Sequence, residues 1–400
     1  MKKILIHILE FSIGLLFIVL IIGCIKYRNN IWELIKQERE KPATNQITEE
    51  AVSIDTDTPI VDETANEEKD TQEEDLKAEE EVETPIEEEP EVKTKLVFTG
   101  DVLLTGYLLT QYDTKGIQGI LAPDIVEEMN QADLTMVNEE FPFSNRGTAA
   151  EDKQFTFRID PKRVNVLKDL GIDIVALANN HVLDYGQDAL VDTFETLENA
   201  QIQYVGAGNN HEEAKQRREF ELNGMNIGIL AASRVIPVPN WAAGSSPGVF
   251  TTYDPTNLIA EIKSAKETCD VVIIYVHWGI ERDEYPQDYQ RELAKKYIDA
   301  GADIVIGAHP HVLQGIEYYN EKPIFYSLGN FIFGSQIPKT AYLKMEIDSE
   351  KNIALSLEAC ATDSSYVLNK ASNQEEIYQY LTEISTNAVV DQEGNVKPKE

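Results

Sequence analysis

The chain has 400 residues, 26% of them charged, and its 70 acidic side chains against 35 basic ones give a formal net charge of −35. Such a balance disfavours nucleic acid as a partner, because affinity for a phosphate backbone comes from a basic face. Three cysteines without any C-x-x-C spacing offer no thiolate zinc site; a disulfide between Cys269 and Cys360 stays open, though nothing requires it.

Residues 1–28 read as a membrane anchor. Ile4 to Ile25 is apolar behind Lys2 and Lys3, long enough to cross a bilayer with His7 and Glu10 at one interface. A helix that is apolar all round and runs into a polar linker has nothing else to pack against. Ile21-Ile22-Gly23-Cys24 also has the form of a bacterial lipoprotein cleavage site, which would put lipid on Cys24 and remove the span. Both versions attach the protein to a membrane. The expected location is the bacterial cell membrane, single-pass, with the folded part outside the cytoplasm. Lys26, Arg28, Lys36 and Arg39 after the span do not favour that orientation.

Residues 29–94 read as an acidic linker. Glu49 to Glu91 carries twenty acidic residues against two lysines, a net −18, and no aromatic side chain. A segment of that kind buries too little apolar surface to offset its ordering entropy and stays extended, so a disordered spacer is expected. With the +3 of residues 1–48 counted, −20 remains on residues 92–400.

From Lys95 short apolar runs alternate with helical stretches, the signature of an α/β sheet. Helices are expected over Asp160 to Leu170, Gly186 to Ala200, Pro255 to Thr268 and Pro286 to Ala300, with Gly171 and Gly301 as C-caps after two of them. How the apolar runs end carries the chemistry. Leu96 to Thr99 ends in Gly100-Asp101, and Leu134 to Val137 ends in Asn138-Glu139-Glu140. Ile174 to Ala178 ends in Asn179-Asn180-His181, Val271 to Val276 in His277, and Ala302 to Ile306 leads to His309-Pro310-His311. The proline disfavours helical dihedrals at His309, so an extended segment aiming both imidazoles to one side is expected. Ligand sites in α/β sheets lie at such C-terminal tips. Donors drawn from Asp, Glu, Asn and His suit Mn, Fe or Zn, and their number suits two ions rather than one. The alternative is a sheet edge whose polar tips merely cap turns.

Those tips, together with Asp184-Tyr185-Gly186, His277-Trp278-Gly279-Ile280-Glu281, Gly307 to Gly315 and Tyr326-Ser327-Leu328-Gly329-Asn330-Phe331, resemble the CapA-type poly-gamma-glutamate capsule synthesis proteins over about Lys95 to Ile347. That family is similar to the calcineurin-like metallophosphoesterases. The resemblance implies a four-layer double β-sandwich flanked by helices over residues 95–350. Over 351–400 the pattern weakens: Asn352 to Cys360 reads as one more strand and Gln374 to Ile384 as a helix, with a polar tail to Glu400. The resemblance also implies that Asp101 ligates a first divalent ion, that Glu140 bridges to a second, that Asn180, His277 and His309 hold the second, and that His311 returns to the first. His181 then stands beside a leaving group, with Asp184 as its orienting partner. Two departures follow: Gly-Asp-Val-Leu replaces Asp-x-His, so the first ion loses an imidazole, and Glu140 replaces a bridging Asp, preceded by Glu139 where the family favours an apolar residue. The second ion is therefore expected to bind more tightly, and the first site to be the one that empties.

Other residues keep two readings. Asn138, Asn179 and Asn330 are expected to support the site, although Asn330 also suits a turn. Trp278 could line a substrate groove or pack, and Glu281 could act as acid or base or stand behind the ligands. His211 is expected at a helix start on the surface. Arg158, Arg234 and Arg282 lie near the motifs and could receive an anionic polymer, but at least two of them are expected in ordinary ion pairs. Two classes of function remain: a metal-dependent hydrolase of a phosphoester or amide, and a non-catalytic assembly subunit. In both, the expected partners are the membrane, further membrane subunits of a polymer synthase or export complex, and anionic poly-glutamate.

Overall fold

A computed structural model describes residues 92–151 and 153–400. The apolar anchor, Cys24 and the acidic linker lie outside the described residues, among which no helix is long and apolar enough to cross a membrane.

In the first half of the domain, β1 (Thr94–Val102), β2 (Leu134–Glu139), β3 (Ile174–Ala176) and β4 (Gln203–Val205) pair in parallel. Between them run α1 (Gly106–Lys115), α2 (Pro123–Asn130), α3 (Asn165–Asp169) and α4 (Gln187–Asn199). The helix expected from Asp160 is thus two pieces, a 3-10 turn over Pro161–Val164 and then α3. Then follow β5 (Ala207–Gly208), α5 (His211–Ala214), the hairpin of β6 (Arg218–Leu222) and β7 (Met225–Ser233), and β8 (Gly248–Val249), which returns to pair with β5. The chain goes on through α6 (Thr256–Thr268), β9 (Val271–His277), α7 (Asp288–Ala300), β10 (Ile304–Ala308), β11 (Ile316–Tyr319) and β12 (Lys322–Phe325). This second sheet has the order β11-β12-β10-β9-β7-β6, with β7, β9, β10 and β12 parallel. Finally β13 (Asn330–Ile332), β14 (Thr340–Ile347), β15 (Ile353–Thr362) and β16 (Leu368–Lys370) return to the first sheet.

Side chains alternate across a strand, and here both faces are apolar. Leu96, Phe98, Met136 and Ile174 of the first sheet meet Ile227, Ile229, Ile273, Tyr275 and Ile304 of the second. Their neighbours Val97, Val137 and Val175 face Leu108, Ile125, Leu167 and Leu190 of the helices. Leu230, Val272, Ile274 and Val305 face Leu258, Ile262, Leu293 and Tyr297. The result is four layers: helices, sheet, sheet, helices.

Past Ile347 the chain does not trail away. β15 pairs with β14 over eight residue pairs, and α8 (Gln374–Ile384) feeds Ile377, Tyr378 and Leu381 into the core between the sheets. The stretch read as a polar tail forms a hairpin of β17 (Ala388–Val390) and β18 (Val396–Pro398), whose Val390 and Val396 join that core. Thr386 N donates to Ile316 O at 3.0 Å and Tyr318 N to Asn387 Oδ1 at 2.7 Å, tying the segment to the second sheet. Four apolar residues, Ala388, Val389, Val390 and Val396, among polar neighbours show too little periodicity to read as strands. Cys269 and Cys360 are both free and buried in separate layers, so they form no disulfide.

Candidate metal centre

Parallel strands end together, so β1, β2, β3, β9 and β10 bring their C-terminal tips to one place. Asp101, Asn138, Glu139, Glu140, Asn179 and Asp184 are wholly buried, and Asn180, His181, His277 and His309 are nearly so. Asn138 organises the centre: its Nδ2 donates to Asp101 Oδ1 at 2.8 Å and Glu140 Oε1 at 3.0 Å, and lies 3.2 Å from His277 Nδ1. Asn179 holds Asn138 in turn, its Nδ2 reaching Asn138 Oδ1 at 3.2 Å and Glu139 O at 2.7 Å, while its Oδ1 accepts from His181 N at 2.9 Å. His277 Nε2 is 2.7 Å from Asn180 Oδ1. His311 Nδ1 is 2.9 Å from both Asp101 Oδ2 and Asn330 Oδ1.

The His-Pro-His segment is not extended. His309 sits at φ 97° and His311 at φ 60°, in the left-handed region that non-glycine residues avoid at a cost of about 1–2 kcal/mol each. Pro310 forbids helix but does not enforce a strand; the pair of left-handed residues folds the chain so that His309 N points at the Asp101 carboxylate, 3.3 Å from each oxygen. The His309 ring comes within 4.6 Å of His277 and 5.8 Å of His311 between centroids.

Burial sets the charges against one another. Burial and the nearby Asp101 carboxylate push Glu140 well above the usual carboxylate range. Burial would lower His311, but Glu140 and Asp101 overcome it and push the imidazole up to about 10. Burial and the His311 charge push His309 down to about 3, and burial with the neighbouring histidines holds His277 well below its ordinary value. Burial raises Asp101, but its bonds to His311 and Asn138 bring it out below normal. Glu140 Oε2 and His309 Nδ1 are buried with no hydrogen-bond partner at all. Buried polar atoms are nearly always satisfied, so these two mark a place built for something else.

The model of a family described as bacterial capsule synthesis protein matches residues 95–335, well over half the chain. The chain belongs to the bacterial capsule synthesis protein family. The PGA biosynthesis protein CapA of Bacillus subtilis is 37% identical over 62% of this chain and 66% of its own length, and the capsule biosynthesis protein CapA of Bacillus anthracis is 31% identical over 62% of each. A probable polyglutamine synthesis accessory protein of Mycobacterium tuberculosis is 32% identical over 52% of this chain and 57% of its own. The chain thus spans just under two thirds of the length of these relatives. A phosphatase of Mycoplasma pneumoniae is similar over 73% of this chain and 99% of its own at 15% identity and a TM-score of 0.46, a likeness too loose to bear on function.

In this chain the residues fit a divalent ion. The donors are carboxylate and amide oxygens and imidazole nitrogens, without sulfur. Two clusters have donor atoms within 4.8 Å of one another: Asp101, Glu140 and His311, and Glu281, His309 and His311. Leu103, two residues past Asp101, lies in the apolar layer behind the first sheet. Glu139 alternates away from Asn138; burial alone pushes its carboxyl well up, and neither oxygen has a partner.

Of the two readings left open for Trp278, packing holds: it is fully buried in the layer of α6 and α7, and its Nε1 donates to Tyr326 O at 3.0 Å. It follows His277 on the strand, and alternation puts it on the opposite face. Arg158, Arg234 and Arg282 make no ion pair among the described residues. Arg158 donates to Arg146 O and lies over Tyr185, and Arg234 lies over Tyr253 and Tyr289. His211 starts α5, with Nε2 3.3 Å from Asn257 Nδ2, away from the site.

Lys153 joins the site without any signal in its local sequence. Its ammonium contacts Asn180 O and Asp184 Oδ1 and lies 3.0 Å from His181 Nδ1, beside the 2.9 Å contact of that nitrogen with Asp184 Oδ2. Phe157 N donates to Asp184 Oδ2 at 2.7 Å, and the Phe157 ring covers His181 at 4.7 Å. A lysine in a polar loop reads as a solvated side chain; only the folded loop carries it to the site.

Proposed function

We propose that the chain is a membrane-attached component of poly-gamma-glutamate capsule synthesis or export, and that its strand-tip site uses one or two divalent ions to hydrolyse a phosphoester or an amide. The buried, unpartnered Glu140 Oε2 and His309 Nδ1, set among oxygen and nitrogen donors, carry this reading. Membership of the family and the likeness to the two CapA proteins support the process. Asp101, Glu140 and His311 would hold the first ion, and Glu140, Asn180, His277 and His309 the second. A divalent ion there supplies Lewis-acid stabilisation of charge developing on a phosphoryl or acyl oxygen.

The protein's own residues do the rest. His181 in its protonated form gives the Nε2 proton to the leaving group and is left as the neutral imidazole with its Nδ1 proton on Asp184; burial lowers its pKa and so favours that release. Asp184, fixed by Lys153 and Phe157 N, keeps the imidazole in place. The apolar segment or a lipid on Cys24 tethers the domain, and the acidic linker spaces it from the membrane and from the other subunits.

The net −20 of residues 92–400 repels a polyanion at long range and favours a second reading, a non-catalytic assembly subunit. Polymer output in cells carrying His181→Ala tests the two. Output lost while folding and partner association persist supports the hydrolase; output retained supports the assembly role.

A further inference from the structure

We infer that Glu281 is a metal ligand whose carboxylate closes the outer side of the first ion's site, in place of the imidazole that Leu103 removes. The inference rests on the metal-binding reading above. Glu281 lies four residues past the tip of β9, in a turn fastened on both sides to the proline between the two histidines. Gly279 sits at φ 96° with so little room that an added Cβ would stand 2.9 Å from Pro310 Cγ. Arg282, left-handed at φ 65°, donates its N–H to Pro310 O at 2.7 Å. Between these fastenings the Glu281 carboxylate comes within 4.8 Å of donor atoms of His309 and His311.

Exposed acidic groups are common without an ion, so proximity alone would mean little. Two further observations separate Glu281 from an ordinary surface carboxylate. It makes no hydrogen bond or ion pair with any described residue, although Lys153 and His311 are close enough to feel its charge. His309, in the same cluster, is buried with Nδ1 unpartnered. Glu281 is thus within reach of His311, given above to the first ion, and of His309, given to the second. The first ion has three protein ligands where the second has four, so the first is the one with a place for a further carboxylate.

The test is calorimetric titration of the metal-stripped full-length protein with Mn2+, alongside its Mn content by mass spectrometry, for wild type, Glu281→Gln and Glu281→His. Wild type is expected to show a tighter and a looser ion. Glu281→Gln weakens the looser one by about tenfold or more and leaves the tighter unchanged, and Glu281→His, which returns an imidazole, recovers affinity. Glu281 is exposed, and equal melting of the metal-free proteins shows that the substitutions do not disturb folding. A binding profile unchanged by Glu281→Gln overturns the inference and leaves the metal site standing. A wild type that takes up no Mn2+ overturns both.

Discussion

Two charged clusters of this domain are built in opposite ways. On the outer face of the first sheet, Glu128, Lys344, Glu358 and Lys370 form a network in which every charge is answered: Lys344 Nζ lies 3.2 Å from Glu128 and 3.0 Å from Glu358, Lys370 Nζ lies 3.3 Å from Glu358, and Tyr342 and Gln374 donate to what is left. At the strand tips, Asp101 and Glu140 are buried together beside His311, and Glu140 Oε2 has no hydrogen bond, its nearest cation being His311 Nε2 at 4.0 Å. A satisfied network holds a fold, whereas a buried cluster with an open acceptor is suited to receive a cation.

The strongest way to break the comparison is to remove the receptor. His309→Ala/His311→Ala is expected to lower Mn2+ affinity by roughly a hundredfold or more, read as metal content after dialysis; unchanged content would make the tips ordinary turn caps. Proton release is the next largest effect. His311 is pushed up to about 10, so it carries a proton at neutral pH that an incoming ion must displace. Apparent affinity should then rise about tenfold per pH unit between pH 6 and 8, and calorimetry in buffers of different ionisation enthalpy should count the proton. The sign for stability is opposite. A histidine raised in the fold stabilises it fully below its ordinary 6.5, and that contribution fades as pH climbs through about 10.

Matched substitutions sharpen the contrast. Glu140→Gln removes a carboxylate that burial and Asp101 disfavour, so the metal-free protein should melt about 2–4 °C higher while losing metal affinity. Lys344→Met leaves Glu128 and Glu358 short of a partner and should cost about 1–3 kcal/mol. Both melting shifts in the same direction would end the distinction. The smallest effect is at His211, outside both clusters: His211→Ala should change neither metal content nor stability beyond about 0.5 kcal/mol.

Much of the site was legible because its residues stand at the ends of apolar runs, and a parallel sheet gathers such ends. Asp101, Glu140, His277 and His309 could be placed at one edge for that reason. Lys153 could not, because nothing local distinguishes a loop lysine that folds inward from one that stays in water. Trp278 kept both a groove and a packing reading because it follows His277 in sequence; one step past the strand tip reverses the face, and packing decides. The last hairpin was missed since its apolar residues are few and gain their meaning only against α8 and β11.

The sequence by itself determined the alternation that makes both sheets apolar on two faces, the donor types at the tips, and the breaks where Gly171 and Gly301 end their helices. These follow from local backbone preference and side-chain period. Which donors face one another was decided by the packing of one sheet on the other. Asp101 meets His311 across 210 residues of chain, and the left-handed turns at His309 and His311 that complete the contact are conformations their own residues disfavour. Only the surrounding tertiary structure can hold them there.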